Sequence, residues 1–508
     1  MKALLDTNII IHREASKIVN KDIGQLFLWL DKLKFTKCIH PLTLQELNKN
    51  LDPRTVETMS VKLQSYNILQ TQAPLHSSLI PIIEKFDINE NDKNDSKLVN
   101  EVFNDRVDIL ITEDKKIHQK AKALGISNRI FRIDTFLEKL ISENPNLVDY
   151  KVLSVRKSLF GNLNLNDTFF DSFREDYLNF NKWFNKKADE IAYTCYYRDE
   201  LGAFLYLKVE DKNENYSEIT PILLPKKRLK IGTFKVTLNG FKIGERFLKI
   251  IFDNAIKFKV DEIYVTIFEK SPEQQRLIDL LETFGFEFHG FKNTVNGYGQ
   301  LEQEQVFVKN FTPHFNVENP CLSFPFISKS KDVYFVSVYP EYHTELFPDS
   351  ILRTESPGNY VENEPHRNAI RKVYISHSIK RDMKVGDILL FYRTGGLYKG
   401  VVTTIAIIES IIPHFNSEND FYQSCKNKTA LTQPELKKFW DRNAKNRPFV
   451  VNLLYCYSLE HRINLKRLID LGVIQSVEQM PRGFYKMGWN NLIKVIKDSK
   501  SDESIISD

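Results

Sequence analysis

The chain has 508 residues, too many for a single hydrophobic core, so we expect about two to four domains. Hydrophobic residues make up 42% of the sequence and charged residues 27%, a composition typical of folded proteins that excludes a largely disordered chain. The net charge of +5 permits nucleic-acid binding but does not require it.

The apolar segments and the cysteines narrow the class of protein further. No apolar run reaches the ~18 residues that a membrane-spanning helix needs. The 5 cysteines are scattered without a CxxC pair, which argues against a zinc knuckle and against a disulfide framework. Asp6 interrupts the first apolar stretch at once, unlike a signal peptide. We therefore expect a cytoplasmic protein with no membrane partner.

Two acidic residues stand at the ends of elements near the start of the chain. Residues 1–5 are predicted to form a short strand that ends at Asp6. Residues 40–47 are predicted to form a strand end that enters a helix, and this segment carries Glu46. Each acid taken alone is typical of a helix cap or a solvated surface.

Residues 91–116 repeat the arrangement of a strand that ends at an acidic residue, here with a helix before the strand. Apolar residues at helical spacing are followed by a β-branched strand at 107–111, which favours a buried α/β sheet. Asp95 lies at the predicted helix start. Asp114 follows the strand at its carboxyl end, where open α/β sheets place their ligands.

If the strands before Asp6 and Asp114 are parallel neighbours, both carboxylates enter one crevice, and two further acids, Glu46 and Asp95, can join them. Crowded carboxylates raise each other's pKa, and a hard divalent cation resolves that conflict. Mg²⁺ or Mn²⁺ held by these four acids would activate water against a phosphodiester.

Residues 1–142 resemble a PIN domain, a metal-dependent nuclease fold built on a parallel α/β sheet. The resemblance rests on the opening LLDTNIIIH, the acid in LQEL, the helix-start acid and the strand ending in ITEDKKI. It implies that Asp6, Glu46, Asp95 and Asp114 are catalytic and bind metal. Asp92 is a rival to Asp95, and Asn8 and Thr112 would be supporting polar residues. PIN domains cleave mostly RNA.

The middle of the chain begins with a polar linker and helical region at 143–186. Residues 228–255 then predict a strand, a loop with two glycines and a helix, an arrangement that suits a pyrophosphate. Residues 187–311 resemble the GNAT acetyltransferase fold, an α+β domain, with LLETFGFEFHG as the strongest part.

The GNAT resemblance implies a possible acetyl-CoA site in the glycine loop. The cofactor-binding residues would be Asn239, Gly240, Lys242, Ile243 and Gly244. The family signature of Arg or Gln, two residues, Gly, one residue and Gly or Ala is matched at Gly244, whereas Asn239 and Lys242 depart from it. A scaffold that no longer binds the cofactor is the alternative. Glu262, Tyr298 and Glu302 are candidate acids or bases, with packing or surface roles favoured.

A Pro-containing linker at 312–329 precedes a strand-rich region at 330–498, and 499–508 form a polar tail. The strand-rich region resembles PUA-like β-barrels of the EVE and ASCH type through KVGDILLFYRTGGLYKGVVTTIAIIES. That resemblance implies a reader of RNA or of modified bases in DNA. Basic and aromatic residues would contact phosphates and stack on bases; the predicted nucleic-acid-binding set is Arg367, Arg371, Lys372, Tyr392, Arg393 and Trp489. A solvated basic face is the alternative.

The sequence thus predicts an α/β multidomain protein that acts as a Mg²⁺- or Mn²⁺-dependent endoribonuclease of toxin or antiviral type. RNA is the expected partner, and an antitoxin-like protein is a further possible partner. Two alternatives stay open. One is an N-acetyltransferase with RNA-binding arms, and the other is a non-catalytic RNA-binding regulator.

Overall fold

The computed structural model describes residues 1–14, 21–47, 63–143, 155–197, 200–238, 241–350, 365–425, 428–429, 431–481 and 483–507. The chain divides into two compact units, Met1–Ile141 and Ser142–Asp508. The first unit ends one residue before the domain boundary expected at 142. Among the described residues, no helix is long and apolar enough to cross a membrane.

The first unit is a parallel sheet flanked by helices. Its strands are β1 Lys2–Leu5, β2 Thr36–Ile39, β3 Asn67–Ile68, β4 Ile109–Ile111 and β5 Ile130–Phe131, in the order β3-β2-β1-β4-β5. Its helices are α1 Thr7–Glu14, α2 Lys21–Lys32, α3 Pro41–Leu47, α4 Ile80–Phe86, α5 Glu90–Phe103, α6 Lys115–Ala123 and α7 Ile133–Glu143. The central strands are apolar because both faces of a parallel sheet are covered by helices.

The second unit contains an eight-stranded mixed sheet in the order β6-β7-β8-β10-β11-β13-β12-β9. The strands are β6 Val155–Leu159, β7 Ile191–Tyr197, β8 Glu200–Glu210, β9 Ile219–Thr220, β10 Arg228–Val236, β11 Glu262–Ile267, β12 Glu287–Val295 and β13 Leu301–Asn310. The helices are α8 Asp171–Asp176, α9 Phe180–Asn185, α10 Ile243–Phe258 and α11 Pro272–Thr283. The helix α10 buries its apolar side, including Phe247 and Ile251, against this sheet.

The second unit also contains an open six-stranded sheet, in the order β16-β19-β18-β17-β15-β20. Its strands, with the separate pair β14 and β21, are β14 Ile327–Ser328, β15 Val333–Val338, β16 Arg371–Ser376, β17 Ile388–Arg393, β18 Val401–Ile412, β19 Phe449–Asn464, β20 Phe484–Met487 and β21 Ile506–Ser507. The helices are α12 Pro340–Leu346, α13 Pro365–Asn368, α14 Glu418–Cys425, α15 Gln433–Asp441, α16 Leu465–Asp470 and α17 Trp489–Asp498.

A closed PUA-like β-barrel is not detected among the described residues. The edge strands β16 and β20 have no backbone pairing to each other there, although the rings of Tyr374 of β16 and Phe484 of β20 lie 5.6 Å apart. Alternation of apolar and polar residues predicts strands correctly but contains no information on whether the first and last strands meet.

Two segments expected to be peripheral belong to the interior of the second unit. Phe324 and Phe326, in the predicted linker 312–329, are buried in one core with Phe252 of α10 and Ile405 of β18. The predicted tail contributes β21, which pairs with β14 in parallel. The two sheets of this unit therefore share a hydrophobic core.

Candidate functional site

A cleft opens in the eight-stranded sheet where two parallel strands separate. The strands β10 and β11 pair from Arg228–Glu262 to Ile231–Val265. A register shift then follows Ile231, after which β10 continues against β8 alone and β11 continues against β13 alone. The cleft has a volume of ≈ 1540 Å³ and reaches both faces of the sheet.

On one face the cleft meets the N-terminus of α10. Ile243 and Gly244 line it together with Lys242, which precedes the helix in the left-handed conformation with φ 59°. Lys242 Nζ lies 2.9 Å from Glu245 Oε1. A Cβ on Gly244 would lie 3.0 Å from Leu280 Cδ2, so this backbone is close-packed.

The predicted cofactor loop is only partly described by the structure. Asn239 and Gly240 lie outside the described residues. The three predicted residues that are described, Lys242, Ile243 and Gly244, all line the cleft. The positive end of a 16-residue helix therefore faces a large cavity, which is a suitable environment for an anion.

On the opposite face the cleft is lined by a polar cluster centred on Glu304 of β13. Its side chain is fully buried, and it accepts hydrogen bonds from Tyr177 Oη at 2.6 Å and Thr266 Oγ1 at 3.0 Å. Asp176, at the end of α8, also lines the cleft, and Lys270 Nζ donates to it at 3.0 Å.

Burial changes the proton affinity of two groups in this cluster. Burial raises the pKa of Asp176, and the nearby carboxylates Glu302 and Glu304 raise it further, against the lowering effect of Lys270. Burial also raises the pKa of Tyr177 well above its usual range, so Tyr177 is a hydrogen-bond donor at neutral pH. A carboxylate with a raised pKa accepts a proton more readily.

The three acid or base candidates from the sequence do not line the cleft; Glu262 and Glu302 lie on strands of this sheet, and Tyr298 lies in the loop between β12 and β13. Glu262 is bound to Arg228 and Lys226, and Glu302 to Lys270. Tyr298 is 77% exposed. None of these three side chains lines the cleft, in agreement with the packing or surface roles favoured for them.

In the first unit, the parallel pairing of β1 with β4 brings the predicted acids Asp6 and Asp114 to one edge of the sheet. Asp6 is buried and accepts a hydrogen bond from Thr112 Oγ1 at 2.6 Å. Burial raises the pKa of Asp6, and the charges of Asp114 and Glu46 raise it further. Asp114 caps α6, and its Oδ1 accepts the backbone N–H groups of Lys116 and Ile117.

The prediction that Asp95 starts a helix is wrong, because α5 begins at Glu90 and Asn89 caps it. Asp95 lies in the second turn, where burial first, and then Asp114 and Asp6, raise its pKa to about 7. Asp92, three residues after the cap, completes a capping box by accepting the backbone N–H of Asn89 at 3.3 Å. A hydrogen bond from Lys116 lowers the pKa of Asp92 to about 2.

The four predicted metal ligands approach each other without forming a metal site. Glu46 lies in the last turn of α3, and Asn94 Nδ2 donates to it at 3.5 Å. Among the residues that the structure describes, no group of three or more His, Cys, Asp or Glu could hold a metal ion. Binding of Mg²⁺ or Mn²⁺ by these four acids therefore stays a prediction.

Most of the predicted nucleic-acid-binding residues are buried. Arg367, Lys372, Tyr392 and Arg393 are each at most 5% exposed. Lys372 Nζ donates to the carbonyl of His366 at 2.7 Å, and burial lowers the pKa of Lys372 to about 7. The exposed basic face expected from these positions is therefore wrong for these four residues.

The two remaining residues of that set are partly buried and make internal contacts. Arg371 Nε donates to Glu409 Oε1 at 2.7 Å, and Trp489 Nε1 donates to the carbonyl of Lys331 at 2.8 Å. Binding of RNA or modified DNA by the strand-rich region stays a prediction.

The sequence analysis missed Asp176, Tyr177 and Glu304 as residues of a site. Asp176 and Tyr177 belong to the region 143–186, whose phenylalanines and tyrosines indicate helical packing and no particular chemistry. Glu304 lies on a strand, where strand alternation places it on the same face as Glu302 and Val306. Alternation alone, however, does not tell which face a helix covers.

No protein-family model matches the sequence, and no curated protein matches it. Among solved structures, the chain is similar to an N-acetyltransferase from Staphylococcus aureus Mu50, with 15% identity over 31% of this chain and 97% of that one, at a TM-score of 0.23. Arabidopsis thaliana Naa50, solved with a bisubstrate analogue, matches with 19% identity over 31% of this chain and 100% of its own, at a TM-score of 0.21. About a third of the chain is thus similar to solved acetyltransferase structures.

A different kind of protein is also similar to a third of the chain. Human THYN1, solved in complex with DNA containing 5-methylcytosine, matches with 9% identity over 34% of this chain and 99% of that one, at a TM-score of 0.21.

Proposed function

We propose that the second unit binds a coenzyme A thioester in the cleft and transfers its acyl group to an amine. The observation that carries the proposal is the separation of two parallel strands, β10 and β11, in front of the N-terminus of α10. A cofactor with a long amide-containing arm and a pyrophosphate matches both parts of this cleft.

The strand β10 supplies the groups for the arm. Beyond Ile231 the side of β10 that faces β11 has no strand partner among the described pairings. Its backbone N–H and C=O groups are thus available to the two amides of a pantetheine arm, as in the addition of a strand to a sheet. The N–H groups that begin α10 would bind the pyrophosphate. Lys242 would add a positive charge.

The polar cluster supplies the acid–base chemistry. The amine attacks the thioester carbonyl, so that a C–N bond forms, the C–S bond breaks and coenzyme A leaves as a thiolate that takes up a proton. The nitrogen must lose a proton in the same sequence. Asp176, whose pKa is raised by burial and which lines the cleft, is the group that accepts it. Tyr177 and Thr266 hold Glu304 in place beside it.

Replacement of this acid tests the proposed chemistry. Asp176→Asn is expected to lower kcat/KM for acyl transfer about 10²- to 10⁴-fold, the usual range for loss of a general base, and to leave the affinity for coenzyme A unchanged. The measurement is release of the free thiol from acetyl-CoA in the presence of a panel of primary amines. Asp171→Asn removes an exposed acid from the same helix and should have no effect. Equal rates in Asp176→Asn and wild type would contradict the role of Asp176.

A second candidate function, phosphodiester cleavage by the first unit, is favoured by one observation. Asp6 and Asp95 hold their protons more tightly than usual because burial and neighbouring acids disfavour their charges. Acids with perturbed pKa values that lie close together are candidates for a functional site. No catalytic step is assigned to a metal ion, because the described residues contain no group of three or more acids placed to hold one. Incubation of the protein with total RNA and Mn²⁺, with and without EDTA, tests this candidate, and intact RNA in both samples would contradict it.

The raised pKa of Asp95 makes the stability of the folded protein depend on pH. The pKa of Asp95 is about 7 in the folded protein, above its value of ~4 in an unfolded chain. Its contribution to stability is therefore fully present below pH ~4 and is lost as the pH rises through about 7. Asp95→Asn should remove this loss and raise the free energy of unfolding at pH 8 by ~1–2 kcal/mol, after allowance for solvent screening of a partly exposed carboxyl.

Thermal unfolding of wild type and Asp95→Asn at pH 5 and pH 8 provides the measurement. The gain should be larger at pH 8 than at pH 5. An equal change in melting temperature at both pH values would show that the pKa of Asp95 is not raised in the folded protein.

A further inference from the structure

The face of the cleft opposite α10 carries three lysines in close proximity. Lys208 of β8 and Lys230 of β10 are direct cross-strand partners, so their side chains leave the same face of the sheet. Lys292 of β12 lies opposite Glu304 in the pairing with β13. All three lysines line the cleft.

The buried acids near these lysines are already engaged by other donors. Lys208 Nζ lies 3.1 Å from Glu210 Oε1, and Lys230 Nζ lies 3.9 Å from the same oxygen. Glu210 also accepts hydrogen bonds from Tyr264 at 2.7 Å and Tyr216 at 3.2 Å. The carboxylate of Glu210 is thus shared by two ammonium groups and two hydroxyls, and Lys208 has a second acid, the partly exposed Glu214, whose Oε1 lies 3.3 Å from its Nζ.

The ion pairs of the third lysine, Lys292, are also long. Lys292 Nζ lies 3.5 Å from Glu304 Oε2, and Glu304 is bonded more closely by Tyr177 and Thr266. Another acid, Glu218, is 4.0 Å from Lys292 and largely exposed. Solvent weakens an ion pair with an exposed acid.

The three ammonium groups thus lie together on a face of the cleft that is partly withdrawn from water. Burial lowers the pKa of Lys230, and the charges of Lys292 and Lys208 lower it further, against the effects of Glu210 and Glu304. A bound anion would favour the charged form of Lys230 and reduce the repulsion among the three lysines.

The cleft has room for a second ligand beside a cofactor. Its ≈ 1540 Å³ exceed the ~300–1,000 Å³ of a typical single-ligand pocket. Aromatic side chains form a wall on the same side, where the rings of Phe173 and Phe180 stack at 5.3 Å and Trp183 lies beside Phe180.

We infer that the acceptor is a small amine that also carries an anionic group, a phosphate or a carboxylate, which Lys208, Lys230 and Lys292 bind. This inference rests on the proposed acyl transfer in the same cleft. The anion is held by the lysines on one face of the sheet, the cofactor lies at α10 on the other, and the amine reaches Asp176 between them.

The test is calorimetry on the full chain saturated with coenzyme A, so that the N-terminus of α10 is occupied. The probes are phosphoethanolamine, β-alanine and ethanolamine, which are primary amines with a phosphate, a carboxylate and a neutral hydroxyl. At least one anionic amine should bind at least ~10-fold more tightly than ethanolamine, which is the effect of a single partly buried ion pair. The stronger of the two anionic probes identifies the anion.

Substitutions test whether the lysines cause the preference for an anionic amine over ethanolamine. Lys230→Gln and Lys292→Gln should each remove most of it, while Lys230→Arg retains it and Lys182→Gln, an exposed lysine of α9 outside the cleft, leaves it unchanged. Both glutamine variants should bind coenzyme A as tightly as wild type, which shows that they are folded. Normal binding of coenzyme A with no preference for either anionic probe, or a preference that survives in both glutamine variants, would overturn the inference alone. No binding of coenzyme A would overturn the proposed function itself.

Discussion

Asp349→Ala is expected to lower the free energy of unfolding of the second unit by about 3–5 kcal/mol, the usual cost of removing one partner from a buried ion pair. Asp349 accepts two hydrogen bonds from Arg246 of α10, at 2.6 and 2.7 Å, and one from Tyr455 Oη of β19 at 3.0 Å. Arg246 is only 5% exposed, so the substitution leaves its charge buried without this carboxylate. Urea denaturation at pH 7 measures the loss.

The ion pair also predicts how this loss depends on pH. Burial alone raises the pKa of Asp349, but Arg246 more than reverses this and holds it well below the usual range. Its contribution to stability is therefore present above pH ~4 and is lost as the pH falls toward the lower folded value. The difference between wild type and Asp349→Ala should shrink in acid.

Two further variants test whether the loss of stability comes from a buried ion pair. Asp470→Ala breaks an exposed i,i+4 pair with Lys466 and should cost less than ~1 kcal/mol. Replacing both partners, with Arg246→Met and Asp349→Leu together, should recover part of the stability, because neither member of this ion pair is then left buried and unpaired. A cost for Asp349→Ala as small as that for Asp470→Ala would show that the pair is solvated.

Gly244→Glu is expected to weaken the binding of coenzyme A at least ~100-fold, or ~2.8 kcal/mol. The new carboxylate would lie in the first turn of α10, where the proposed site binds a pyrophosphate, and like charges repel. The helix itself should tolerate the change, since an acid in the first turn is favourable for the helix dipole. Isothermal titration calorimetry with coenzyme A measures the affinity.

Gly244→Ala is the matched control for this substitution. It introduces the same Cβ, 3.0 Å from the flexible end of Leu280, without the charge. We expect it to bind coenzyme A within about threefold of wild type, an energy of ~0.7 kcal/mol. Equal losses in Gly244→Ala and Gly244→Glu would mean that steric fit, and not charge at the helix N-terminus, governs this position.

The sequence predicts those elements whose signal is local. The strand before Asp6, the strand before Asp114 and the helix α10 follow from short apolar patterns, and the structure contains all three. The parallel pairing that brings Asp6 beside Asp114 also follows from a simple rule about strand ends.

The features that the sequence does not predict depend on pairing between residues that are far apart in the chain. The run of basic residues around Lys372 has the composition of a nucleic-acid face, yet the carboxylates that make its burial possible come from elsewhere in the chain. Arg371, for example, pairs with Glu409, which is 38 positions away. Closure of the predicted barrel likewise depends on whether the distant strands β16 and β20 pair, and the described residues contain no such pairing. The cleft depends on a register shift after Ile231 that no pattern of residue types specifies.

The central claim is that the separated strands and α10 form a site for a coenzyme A thioester. Titration of the full chain with coenzyme A in a calorimeter tests it most directly. We expect saturable binding of one molecule per chain with micromolar or better affinity, equivalent to at least ~8 kcal/mol, and a marked loss in Gly244→Glu. Absence of detectable heat at millimolar coenzyme A, with a chain that is folded by its thermal unfolding transition, would contradict the claim.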